Sequence, residues 1–563
     1  MKKKNVASMA MAAMMAAGAL PMNAWAAPEV NHDEPLTIEV YDVAANYQGM
    51  QTGWYAKEIK DRFNIELNIV APQVSGDAAS LYQTRCASGD LGDIIILDNA
   101  DMQDCVDVGL IADISEDLPN YENLMKYDEQ ISLFNDSINE VIGTEGVYAI
   151  PAEMNSNGPT EYKEDTVAVM PRLEWDHYVE VGAPEMKNLD DLLDTLKKIQ
   201  DAYPTNEAGD KTYALSLWPD WDGTSIENVN QLTKWYGQEV NGSILLGTDN
   251  SITPLTDKDG AYYKMLKFLY KANQMGLVDP DSATQDWNAA CDKMRQGRVH
   301  LFWYNWQYGF WNSPAKGEAR QNYRGIPLED LNIYQASDTY YGDGRAWAVG
   351  SNVSDEDKAR ILEFMDWLCS PEGLTMQEGF IYTVNDDGTY TLTDAGMTRF
   401  ADDPQVPEEL GGGSWTDGNN QINQWLVASI EMNPETGETF GSDYWASFLE
   451  KNNTATNKEW SEKFGSETEV SYLEENGMLN IVPNVNLVLP IDTTDIALIR
   501  SQCGDQVKAT SWQAIFASDD AEFDQMWDEM CVTLEGLGWD QLVEFDTDKY
   551  QAVVDAREAA VAE

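Results

Sequence analysis

The sequence predicts an α/β protein built on largely parallel sheets. Two observations carry this. Short β-branched runs alternate with amphipathic helical stretches from residue 36 to residue 97, and a second such series starts near Asp165. No internal repeat or low-complexity tract competes with that reading.

The elements follow in order. Leu36–Val43 (LTIEVYDV) reads as a strand. After a polar loop, Trp54 to Phe63 reads as a helix with Trp54, Ile59 and Phe63 as its apolar anchors. Ile65–Val70 is a second strand, Ala78–Ser88 a helix, and Asp93–Leu97 (DIIIL) a short apolar strand. In the second series Thr166–Met170 is a strand, and Asn188 caps a helix whose first turn carries Asp190 and Asp191. Tyr213–Trp218 is the next strand, and Tyr262–Met275 is a helix stopped by Gly276. Arg298–Tyr304 is a further strand. Asp355–Cys369 and Phe523–Leu537 are the clearest later helices, and Gly411–Ser414 reads as a flexible loop.

Charge narrows the function. The 97 acids against 36 Lys+Arg give a net charge of -61. Such a chain repels phosphate backbones and anionic lipid heads, so nucleic-acid and membrane-surface partners are not expected. The apolar fraction of 43% supports a large core. Residues 1–26 read as a secretory signal. Lys2, Lys3 and Lys4 precede an apolar stretch from Val6 to Leu20, and Ala24-Trp25-Ala26 fits a small-x-small cleavage site. Its removal loses three lysines and no acid, which takes the charge from -61 to -64. The expected location is therefore outside the cell membrane. No cysteine stands at the cleavage point to take a lipid; the first is Cys86.

Catalytic signatures are missing. There is no GxSxG, GxxxxGK or GxGxxG, and no CxxC. His32, His177 and His300 are far apart in sequence, so no His-based zinc site, other metal or cofactor is expected. Paired carboxylates of the glycosidase kind stay open, since 97 acids offer many pairs. The six cysteines allow disulfides, Cys86–Cys105 and Cys503–Cys531 being the most local, or buried thiols.

Several stretches, in order, resemble the extracellular solute-binding proteins of bacterial ABC importers, in their large oligosaccharide-binding class. These are Cys86-Ala87-Ser88-Gly89-Asp90 running into Asp93-Ile94-Ile95, Gly109 to Ile114, and Val147 to Pro151. Asn188 to Ala202, Leu269 to Asp281, and Leu537 to Tyr550 complete the set. Pro204 to Asp210 departs from the calcium loop of some large members, so calcium is not carried over. The resemblance implies a two-lobed, type II periplasmic-binding-protein-like α/β fold. Each lobe would be a mostly parallel sheet flanked by helices, with extra C-terminal helices. The boundaries expected are 27–155 with 300–350 for one lobe, 156–299 with 351–520 for the other, and a helical segment over 521–563. It also implies a non-enzymatic, monomeric protein that takes an oligosaccharide in an interlobe cleft and hands it to membrane permease subunits. An exported glycoside hydrolase, or a binder of a peptide or other non-sugar solute, are the alternatives.

Candidate ligand contacts come from loops at strand ends. Phe302 to Trp311 holds seven aromatics in ten positions. Within it Trp303 and Trp306 could cover the C–H face of a sugar ring, with Asn305 serving its hydroxyls. Trp218, Asp220, Trp221 and Asp222 pair rings with carboxylates after a strand. Tyr341, Arg345 and Trp347 form a third group. Asn46 and Tyr47 lie in the first strand-to-helix loop, Asp98 and Asn99 follow DIIIL, and Trp415 is a candidate lid residue. The strong negative charge favours a neutral ligand over a polyanion.

Overall fold

A computed structural model describes residues 30–562 apart from positions 77, 420, 421, 423, 424 and 486. The expected signal segment lies outside the described residues.

The first series of elements builds a six-stranded sheet. Its order is Gly49–Met50, Ile65–Val70, Leu36–Asp42, Ile94–Asp98, Arg345–Val349 and Ala149–Pro151. The strand Leu36–Asp42 pairs in parallel with Ile65–Val70 and with Ile94–Asp98. Arg345–Val349 runs antiparallel to both of its neighbours. The helix Gly53–Phe63 buries Trp54, Tyr55, Ile59 and Phe63 and stops at Asn64, whose φ of 52° is left-handed. Asn188 caps Leu189–Ala202 by accepting from the backbone N–H groups of Asp190 and Asp191 at 3.0 and 3.2 Å.

The second lobe departs from a parallel sheet. One of its sheets, Leu301–Tyr304, Val169–Glu174 and Tyr323–Gly325, is antiparallel, as is Gln238–Asn241 with Ile244–Gly247 and Ile252–Pro254, whereas Ile333–Ala336 and Leu479–Val482 form a parallel pair. Tyr213–Trp218 is extended but makes only isolated parallel bridges, Tyr213 to Val299 and Leu215 to Val278, so it is no full strand.

Core packing divides the chain differently from the sequence boundaries. One core runs from Val167 to Ile333 and resumes from Trp460 to Leu542. The other holds buried residues between Ile38 and Met154 and between Trp347 and Trp445. Residues 300–336 therefore belong with the second lobe, because Leu301–Tyr304 pairs with Val169–Glu174. Residues 346–445 belong with the first, because Arg345–Val349 completes its sheet. The helices Asp520–Leu537 and Trp539–Ala562 are part of the second lobe: Phe523, Trp527, Leu534 and Trp539 sit in its core. The lobes are joined by crossings near 155–166, 337–345 and 446–459.

The Gly411–Ser414 segment is seated against the first helix. A side chain on Gly411, whose φ is 120°, would come within 2.8 Å of the Trp54 backbone. All six cysteines are free thiols, four of them buried. Among the described residues no helix is long and apolar enough to cross a membrane.

Candidate functional site

The carboxyl ends of the first-lobe strands gather four carboxylates around one guanidinium. Arg345 stands opposite Asp98 in the strand register. Its Nε lies 3.4 Å from Asp98 and its Nη1 3.1 Å from Asp343. Asp42 ends the central strand fully buried and accepts from the Ala44 N–H at 2.8 Å, while its Oδ2 has no hydrogen-bond partner. Burial pushes its carboxyl up to about 8. Glu153 follows the edge strand Ala149–Pro151. Burial, then the charge of Asp343, holds its carboxyl well above the ordinary carboxylate range.

The second lobe contributes an aromatic cluster. Trp218 and Trp303 stack at 5.5 Å with their planes 7° apart, and both are buried. Over them lie Trp221 and Trp287, 4.6 Å apart, and Trp306, 5.5 Å from Trp287. Tyr304 backs Trp306 at 4.7 Å in a stacked pair. Trp306 is 43% exposed, so one of its faces is open.

Trp306 borders a cavity of about 510 Å³ between the lobes. Asn305, Tyr308, Phe310 and Glu164 line it from the second lobe, and Arg399, Phe400 and Tyr444 from the first. Such a volume suits a small-molecule ligand, within the usual range of roughly 300–1,000 Å³. Burial pushes Glu164 up to about 7, against the opposing hydrogen bond from Tyr444. Beneath the cavity, Arg172 donates to Glu469 at 2.6 Å with both side chains buried. A second cavity of about 420 Å³ lies on the hinge side, bordered by Asp98, Asn99, Asp343, Tyr334 and Arg557.

The expected residues do not all meet. Trp221, Trp306 and Asn305 come together at the cleft, and Asp98, Asn99 and Arg345 meet at the strand ends of the other lobe. Trp218, Trp303 and Trp347 are corrections, since all three are core side chains at 1%, 0% and 1% exposure. Trp415 is likewise no lid: it stacks on Trp54 at 6.1 Å, and its carbonyl accepts from the Trp54 indole at 3.0 Å. Asp220 and Asp222 are engaged within the protein. Asp220 accepts from the Trp287 N–H at 2.7 Å, and Asp222 from the Glu227 N–H and the Trp512 indole. Asn46 accepts from Gln73, and the Tyr47 hydroxyl donates to the Met50 carbonyl, so both brace their own loop. Tyr341 packs at the hinge beside Leu246 and Val485.

Sequence reasoning missed Asp42, Glu153, Glu164, Trp287 and Phe400. Glu153 lies two residues after the Val147 to Pro151 stretch, a position that could have flagged it. Trp287 opens a helix after the cap Asp286 and gives no comparable signal.

The structure is similar to the S. pneumoniae ABC-transporter substrate binding protein FusA in complex with kestose. The TM-score is 0.59 at 15% identity, over 92% of this chain and 99% of that one. It is also similar to the alginate-binding protein AlgQ2, with a TM-score of 0.57, 15% identity, and 92% and 98% coverage. An HMO binding ABC-transporter-associated solute binding protein from Bifidobacterium longum infantis matches with a TM-score of 0.53, 15% identity, and 92% and 99% coverage. At these identities the likeness establishes the two-lobed fold. No curated protein matches the sequence. The family model for bacterial extracellular solute-binding proteins matches residues 49–375, more than half of the chain, and this protein therefore belongs to that family.

Proposed function

We propose that this chain is the exported, monomeric substrate-capturing component of an ABC importer. It holds a neutral oligosaccharide between its lobes and passes it unchanged to permease subunits. The observation that carries this reading is the open face of Trp306, backed by Tyr304 and Trp287 at the mouth of the interlobe cavity. A sugar presents a flat C–H face to such a ring, and a two-χ aromatic loses little entropy in holding it. Asn305, Glu164 and Arg399 supply donors and acceptors for hydroxyls around the rim.

Neutrality is supported by the first-lobe wall. Asp42, Asp98, Glu153 and Asp343 surround the single guanidinium of Arg345, which already pairs with two of them. Asp98 and Asp343 thus occupy the wall's one cation, and with the overall charge of -61 this leaves little there to attract a polyuronate. The similar sugar-binding proteins support the carbohydrate class. The decisive experiment is calorimetry with matched neutral and uronic oligosaccharides at low and moderate salt, with chromatography of the recovered sugar. Saturable binding of the neutral series, and recovery of intact sugar, is expected. Tighter uronate binding at both salt levels would overturn the neutral assignment, and cleaved sugar would favour a hydrolase.

A further inference from the structure

The junction between the second-lobe strand Val169–Glu174 and the helix Trp175–Glu180 brings together groups that the ligand cleft does not use. The ligating atoms of Glu174, Asp176 and His177 all lie within 4.8 Å of one another. The Glu174 side chain is only 6% exposed. Among the described residues neither its carboxylate nor that of Asp176 forms an ion pair with a lysine or arginine; Lys316 and Arg320 act on them only from farther off, and the ring of His177 is the near neighbour of Glu174. His177 Nδ1 is 3.1 Å from Glu174 Oε2, yet this buried nitrogen has no aligned hydrogen bond. Tyr203 lies over the same ring at 3.6 Å and fixes its orientation. Ionising a carboxyl buried this deeply is costly, and a ring nitrogen without a hydrogen bond faces it. One divalent cation between them would satisfy both.

We propose that Glu174, Asp176 and His177 bind one zinc-class divalent cation. One imidazole nitrogen with two carboxylate oxygens matches the donor set of zinc and neighbouring first-row dications, whereas calcium and magnesium prefer all-oxygen shells. Bonds of about 2.0–2.2 Å need the three groups to draw together by well under a side-chain length. The site lies at the opposite end of Val169–Glu174 from Trp306, although Tyr323, which pairs with Glu174, also lines the cavity. Leu301 pairs with Leu173 beside it, whereas Tyr304, two residues before Trp306, pairs with Val169 at the other end. The cation would thus staple a strand–helix corner, and its donors are none of the residues that carry the sugar reading, so this inference stands whether or not that reading does.

The test is isothermal titration of the full mature chain, first stripped with chelator, with ZnCl2. The H177Q and D176N variants run in parallel, and H32Q serves as a control that alters a histidine paired with Glu363 elsewhere. Saturation at one zinc per chain is expected, weakened at least tenfold in H177Q and D176N, unchanged in H32Q, and not displaced by equimolar CaCl2. Circular dichroism establishes that each variant is folded. X-ray absorption of the zinc-loaded wild type decides independently of any variant, since one coordinated imidazole among oxygen donors is expected. No saturable zinc binding, undiminished affinity in the folded H177Q and D176N variants, or a shell without imidazole would overturn the proposal.

Discussion

Replacing Trp306 by alanine separates a ligand platform from core packing. A tryptophan side chain covers roughly 150–250 Å². With Trp306 43% exposed, a ligand can cover about 100 Å² of it. At about 25 cal/mol per Å² that contact contributes about 2.5 kcal/mol, or roughly 70-fold in Kd. The fold should lose only about 1 kcal/mol, because the open face supports nothing and the cluster keeps Tyr304, Trp287 and Trp221 in place. Trp303, four positions from Gln307 and fully buried against Trp218, is the contrast: Trp303→Ala should cost about 3–5 kcal/mol of stability. The assay is calorimetry with the tightest neutral oligosaccharide from a thermal-shift screen, alongside urea unfolding. A folded W306A protein that binds within twofold of wild type would refute the reasoning.

Two further outcomes follow from the buried charges. Asp42 is held near 8 in the folded chain against an unfolded value of about 3.9, so its ionisation opposes folding progressively as pH rises from about 4 to 8. D42N, whose amide oxygen can still accept from the Ala44 N–H, should match wild type near pH 4. It should gain on wild type by up to about 5 kcal/mol at pH 8, at about 1.4 kcal/mol per unit; equal midpoints at both pH values would contradict this. The histidine contributions are common to both proteins and cancel in the comparison. Burial alone would raise the Glu469 carboxyl, but Arg172 and Arg324 outweigh it and hold it low. R172M should therefore destabilise by about 3–5 kcal/mol in urea unfolding, and a loss below 1 kcal/mol would show the pair to be dispensable.

What the chain settles locally could be read directly. Strand alternation, the Asn188 cap, the Gly276 stop and the absence of catalytic signatures depend on residues a few positions apart. The run Phe302 to Trp311 likewise stood out, because so many aromatics in one segment exceed what a single strand can bury, and within it Asn305, Trp306, Tyr308 and Phe310 line the interlobe cavity. Tertiary structure alone decided which of those rings is open. Trp303 and Trp306 share one segment, yet Trp218, some 85 residues earlier, covers the first and leaves the second uncovered. It also decided the lobe boundaries. Arg345–Val349 joins the first-lobe sheet by pairing with Ile94–Asp98 and Ala149–Pro151, contacts hundreds of residues distant that no local pattern encodes. The same long-range closure set Asp42, Asp98, Glu153 and Asp343 around one arginine. Burial and charge are properties of the assembled neighbourhood, and a list of 97 acids does not say which four will meet.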